Sequence, residues 1–150
     1  YLADEEASTD DLIAYVPSII DNGIILWTHV TSPFVNANIY KAMIKEYFSK
    51  IEEYDSLMSV TNIQKFLWDK NGATNYDRKK EKWPRTQTIS PLFEINSAAF
   101  IADISIYNKF RDRIGKKPYL YELSTRESFD IDWEDDYEIA EALWQKYEDL

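Results

Sequence analysis

GIILWTHV, residues 23–30, is an unbroken apolar run rich in β-branched side chains, the pattern of a strand buried on both faces. Strands of that kind belong to parallel sheets, so the run predicts an α/β fold. TSPFVN (31–36) reads as a loop, and Tyr40, Met43, Ile44, Tyr47, Phe48 and Ile51 then recur at helical spacing, which predicts an amphipathic helix. SLMSVTNI (56–63) reads as the next strand, giving one βαβ crossover over 23–63, right-handed by the usual rule. A doubly wound α/β arrangement follows. Upstream, Ser8, Thr9 and Asp10 are N-cap candidates ahead of Leu12, Ile13, Val16 and Ile19 on one helical face, and the chain reads as entering an element midway. Downstream, Asn71-Gly72 inside KFLWDKNGATNYD (65–77) predicts a hairpin that projects from the main sheet. INSAAFI (95–101) reads as a small-residue strand and ISIYNKFRDRIG (104–115) as a short helix ended by Gly115. KPYLYELS (117–124) is a further strand, and the last helix runs from about Asp136 to Tyr147. With no repeat, low-complexity linker or internal boundary, residues 1–150 form one domain.

The composition, 45% hydrophobic and 29% charged, suits a single buried core. A formal charge of −10 argues against a nucleic-acid surface, because phosphate backbones need a basic field. A small molecule or a protein is the expected partner. No apolar run approaches the roughly 20 residues that cross a bilayer, and no basic-then-apolar leader occurs, so a soluble, cytoplasmic protein without a membrane partner is expected. Without cysteine there is no disulfide framework and no thiolate metal site. Any metal must be held by oxygen or by the single His29.

The stretch ESFDIDWEDDYEIAEALWQKY (127–147) concentrates acids, but not for one purpose. Glu134, Asp135 and Asp136 precede the apolar positions of the last helix, where carboxylates favour the positive end of the helix dipole. Glu138 and Glu141 fall on a solvated face. Asp130 and Asp132 differ. In extended chain, i, i+2 spacing puts both carboxylates on one side of the backbone, and two like charges that close invite a cation. Magnesium is held by one or two carboxylates together with substrate phosphates, so Asp130 and Asp132 are either a magnesium pair or a polar strand edge.

THVTSPF (28–34) lies at the carboxyl end of the first strand, where open α/β sheets bind their ligands. Thr31 and Ser32 there are either hydroxyl donors to a nucleotide or a turn into the helix. His29 is either a satisfied core histidine or a ligand contact. NYDRKKEKWPRTQ (75–87) gathers Arg78, Lys79, Lys80, Lys82 and Arg85, and Pro84 stiffens the approach of Arg85, the chosen candidate for an anionic ligand. Asn96, set among apolar and small residues, is either a buried hydrogen bonder or a ligand contact.

THVTSPF at 28–34, PRTQ at 84–87, FEINSAAFI at 93–101 and SFDIDWEDDYEIAEALW at 128–144 together resemble the acylneuraminate cytidylyltransferases, the CMP-sialic acid synthetase family. The resemblance runs from Ala7 and Ser8 onward, with the motifs in family order. It implies a nucleotide-diphospho-sugar-transferase-like, Rossmann-like three-layer fold. It also implies transfer of CMP from CTP to an acidic 2-keto-3-deoxy sugar, with magnesium as cofactor and release of pyrophosphate. Carried over residue by residue, Asp130 and Asp132 match the metal-binding acids, Thr31 and Ser32 match the nucleotide loop with His29 beside them, and Arg85, Gln87 and Asn96 match sugar-site positions. Arg85 joins Asp130 and Asp132 as a candidate catalytic residue. A homodimer is implied, closed by an excursion that reaches the neighbouring subunit, for which 65–77 and 110–118 are the candidates.

Two features depart from the family pattern. The glycine-, lysine- and arginine-containing loop that grips the CTP phosphates is missing, so the 150 residues are expected to be an N-terminally incomplete domain that does not catalyse alone. Glu94 stands where sialic-acid members commonly carry arginine, and an acid there repels a sugar carboxylate, which counts against sialic acid itself and leaves the acceptor open among sialic, legionaminic and pseudaminic types. The alternatives are a 3-deoxy-octulosonate cytidylyltransferase and a non-catalytic interaction module whose 15% aromatic content covers a partner.

Overall fold

The computed structural model describes residues 7–148. Ser8 caps the first helix, α1 (Thr9–Tyr15), in a reciprocal capping box with Asp11. A 3-10 turn over Val16–Ser18 changes the period from 3.6 to about 3. That change leaves Ile19 exposed, against the single-face prediction, and turns Ile20 inward to pack beside Ile13 and Val16.

The first strand, β1 (Ile24–Thr28), alternates between exposed and half-buried residues. Helix α2 (Ala37–Lys50) is capped by Asn36, and β2 (Ser56–Ile63) matches the predicted strand residue for residue. A separate two-stranded ribbon, β3 (Trp68–Asp69) with β4 (Gly72–Ala73), forms the expected hairpin. Its turn is Lys70-Asn71, one residue earlier than predicted, because the Asp69 carboxylate accepts the Asn71 and Gly72 N–H groups and closes the turn there. The long β5 (Leu92–Asp103) runs into α3 (Ile104–Phe110), followed by β6 (Pro118–Glu122) and α4 (Glu134–Glu148).

The main sheet has the order β1-β5-β2-β6, with β5 antiparallel to β1 and β2, and β6 parallel to β2. The fold is α/β with a mixed sheet. Two expectations are thereby corrected. β1 is an open edge, not a strand buried on both faces, and β2 is not its neighbour, since β5 is inserted between them. The apolar run predicted burial, but β5 covers only one of its edges. Likewise α3 ends at Arg111, in the left-handed conformation with φ 55°, and not at Gly115.

Adjacent residues of a strand face opposite sides, so Leu57, Ile101 and Leu123 meet Met43 and Tyr47 of α2, while Ala102 meets α1 and α3 through Ile13, Ile104 and Tyr107. These two cores make three layers. Each fully buried large side chain contributes roughly 1.5–3 kcal/mol relative to exposure. Beyond α3 the chain folds back onto the start of β2, where Lys116 and Lys117 N–H donate to the Asp55 carboxylate at 2.7 and 3.0 Å and Gly115 N–H donates to Ser56 Oγ. Segment 110–118 is therefore strapped to the sheet, whereas 65–77 stands apart as its own ribbon. Among the described residues, no helix is long and apolar enough to cross a membrane.

Candidate functional site

Where β1 ends, the chain turns through His29–Pro33, and the segment that follows β6 returns beside it. The two are stitched by Ile131 N–H donating to Thr31 O at 2.9 Å. On either side of Ile131, Asp130 and Asp132 line one cleft of about 330 Å³, together with Glu94, Asn96, Thr125, Ser128 and Asp136. The i, i+2 spacing therefore does bring both residues to one cleft. Asp136 uses its carboxylate to accept the Asp132 and Trp133 N–H groups at 3.1 and 2.9 Å, which fixes the turn into α4 and with it the backbone of Asp132.

Asn96 reaches the cleft because the β2–β5 ladder breaks beside it. Met58 pairs with Phe100 but Val60 with Ile95, and Ser97 in the resulting bulge is left-handed at φ 59°. Inside the bulge Asn96 Oδ1 accepts from Ser59 Oγ at 2.7 Å, and Asn96 Nδ2 donates to Thr61 Oγ1 at 3.1 Å. The structure has the first reading of Asn96, the buried hydrogen bonder. Its side chain also borders the cleft, with one amide proton beyond the Thr61 bond.

Ser32 is buried, with an Oγ that has no hydrogen-bond partner, directly after the Thr31 bridge. His29 has its Nε2 engaged by Trp27 Nε1 at 3.2 Å and by Arg113 Nη1 at 2.9 Å. Burial and the Arg113 cation hold its pKa below the usual histidine value, with Asp130 opposing weakly. The unfolded chain therefore takes up a proton near pH 6.5 that the folded chain refuses. Stability is expected to fall as pH drops through 6.5 toward the folded value, whereas Asp11 and Glu127, with lowered carboxylate pKa values, titrate below that window. Urea unfolding of wild type and His29→Gln at pH 7.5 and 5.5 checks this, the variant losing less stability than wild type.

Arg85 and Gln87 are exposed and do not line the cleft; Arg85 precedes and Gln87 lies within the 3-10 turn Thr86–Thr88, where the Gln87 and Ile89 carbonyls accept from Gln64 Nε2. Of the basic cluster it is Arg78 that is held, 5.3 Å from the ring centroids of both Trp68 and Trp83. Sequence reasoning had no local signal for Arg113, which acts 84 positions from His29. The Trp27-x-His29 spacing on one strand face was available and unread.

Among the described residues no three histidine or acidic side chains converge to hold a metal unaided. Asp130 and Asp132 fit a hard cation that completes its shell with phosphate or water oxygens, which is the donor set magnesium takes.

No family model matches the chain. It is 26% identical over 144 residues to an N-acylneuraminate cytidylyltransferase of Streptococcus agalactiae serotype V, covering 89% of this chain and 33% of that protein. An N-acylneuraminate cytidylyltransferase of Escherichia coli O18:K1:H7 is 28% identical over 152 residues, covering 97% of this chain and 36% of its own length. The chain spans about a third of the length of the curated relatives it matches. It is a distant relative of the N-acylneuraminate cytidylyltransferases.

Proposed function

We propose that this chain is the metal- and sugar-binding part of a magnesium-dependent cytidylyltransferase that joins CMP from CTP to an acidic 2-keto-3-deoxy sugar with release of pyrophosphate. The supporting observation is the convergence of Asp130, Asp132 and Asn96 on one cleft near the carboxyl end of β1, in a distant relative of enzymes with that name. Asp130 and Asp132 would hold magnesium. When bound, the metal neutralises charge on the phosphate oxygens and the leaving pyrophosphate. Asn96, pinned by Ser59 and Thr61, keeps an amide proton for a sugar hydroxyl, and Thr31 with the buried Ser32 hydroxyl faces the nucleotide side. His29 is assigned to the nucleotide side as well.

Arg85 and Gln87 stand on the segment beyond the β3–β4 ribbon, so in a cytoplasmic homodimer their sugar contacts would be made in the neighbouring subunit's cleft. The charge pattern supports that docking, since the lobe carries Arg78, Lys79, Lys80, Lys82 and Arg85 while the cleft is lined by acids. Glu94 lies within the cleft, and sialic, legionaminic and pseudaminic acids all carry the carboxylate it would repel, so the acceptor is assigned as a nine-carbon acid of one of these three types.

The test is pyrophosphate release from CTP and magnesium by the full polypeptide that carries this chain, against sialic, legionaminic, pseudaminic and 3-deoxy-octulosonic acids. Release with a nine-carbon acid is expected. Release with none of them would refute the assignment and favour a non-catalytic interaction module.

A further inference from the structure

We infer that Arg113 is a positioning residue: it fixes His29 as a neutral imidazole protonated on Nδ1, so that the ring presents one directed donor to an acceptor oxygen of the nucleotide. The nucleotide half of this inference rests on the function proposed above; the tautomer does not.

His29 Nε2 meets two groups at once, the Trp27 indole N–H at 3.2 Å and an Arg113 guanidinium nitrogen at 2.9 Å. Both are donors only, and an arginine in a protein keeps its proton. A proton on Nε2, whether in the other neutral tautomer or in the imidazolium ion, would set N–H against N–H twice over. Nε2 must therefore offer its lone pair, which leaves the proton on Nδ1.

The arrangement is rigid for reasons spread across the fold. Trp27 and Phe100 are directly paired in the β1–β5 register, and the Arg113 guanidinium lies 3.8 Å from the Phe100 ring centroid and 5.2 Å from that of Trp27. The loop that carries Arg113 is held at its far end by the Asp55 and Ser56 bonds to residues 115–117. At the other end of the relay, His29 stands two residues before Thr31, whose carbonyl is bonded to Ile131 between the two cleft aspartates. Arg113 thus links the strapped loop to the strand end that borders the cleft, without reaching the cleft itself. A purely structural cation would be served by the two aromatic faces; the additional short contact to the imidazole fixes which ring nitrogen is protonated.

His29 is the only histidine of the chain, so its two ring nitrogens give unambiguous signals in a long-range proton–nitrogen correlation spectrum. The spectrum is recorded at pH 7.5 without nucleotide or magnesium. The expected wild-type result is a single tautomer protonated on Nδ1. Arg113→Met, which keeps apolar contact with Phe100, is expected to give a mixture with the Nε2-protonated form, and Arg113→Lys, which keeps a donor, to retain the wild-type pattern. A wild-type ring protonated on Nε2, or a tautomer unchanged in Arg113→Met, would overturn the role of Arg113. If the Met variant does not fold, Arg113→Leu, which also lacks a donor, replaces it in the same comparison. Failure here removes the Arg113 role and leaves the aspartate assignment standing, whereas failure of the pyrophosphate assay removes the nucleotide and leaves the tautomer.

Discussion

Asp132→Asn is expected to abolish magnesium-dependent pyrophosphate release in the full polypeptide and to weaken magnesium binding by at least about tenfold. The amide keeps the shape of the carboxylate but loses the charge and one of its two acceptor oxygens. Asp132 is exposed, and the turn around it is held through its backbone N–H and the Asp136 carboxylate, so stability should stay within about 0.5 kcal/mol of wild type. Asp136→Asn is the informative contrast. It weakens the two N–H bonds that start α4 and should cost about 1 kcal/mol, with a smaller effect on magnesium because its carboxylate already serves the backbone. Unchanged turnover in Asp132→Asn, measured by the pyrophosphate assay, would contradict the metal assignment.

Gly115→Ala is expected to be the most destabilising of the three glycine-to-alanine substitutions. An added Cβ would overlap the Asp55 carboxylate, which accepts the Lys116 and Lys117 N–H groups. Displacing that carboxylate breaks charge-assisted bonds and releases the loop that carries Arg113, at a cost of about 2–4 kcal/mol. Asp55→Ala removes the same bonds, so the double variant should cost little more than either single one. Gly72→Ala is different in kind. Its added Cβ meets open space, but its φ of +141° is strained for any other residue, so about 1 kcal/mol is expected. Chemical denaturation of the four variants distinguishes the two causes, and a fully additive double variant would show that Gly115 and Asp55 do not share one contact.

The sequence shows most clearly what is settled by neighbours along the chain. The boundaries of β2, the loop over 31–36 ahead of α2 and the shared cleft of Asp130 and Asp132 all follow from local pattern, and the structure has them, whereas the Asn36 cap of α2 was not read from the sequence. The exposure of β1 was not legible, because an apolar run records which residues tolerate burial and not which strands arrive to bury them. The insertion of β5 between β1 and β2 depends on pairings about 30–80 positions apart, and no local spacing encodes them. The hairpin was found but misplaced by one residue, since Asp69 competed with Asn71-Gly72 for control of the turn. At the cleft, Asn96 was legible as a polar residue in an apolar strand. The bulge that brings it to the cleft was not, because Ser97 carries no signature of a left-handed backbone. Trp27, His29 and Arg113 meet only after the sheet and the strapped loop are both formed.

The most direct test of the cleft as a metal site is a manganese titration of the chain followed by amide relaxation, since carboxylate and water donors that suit magnesium also suit this paramagnetic ion. Line broadening is expected first at residues 130–132 and across the cleft at 94–96, and is expected to disappear from both in Asp130→Asn/Asp132→Asn. Broadening centred on another acidic stretch, such as 134–141, or unchanged in the double variant, would contradict the assignment of Asp130 and Asp132 as the metal pair.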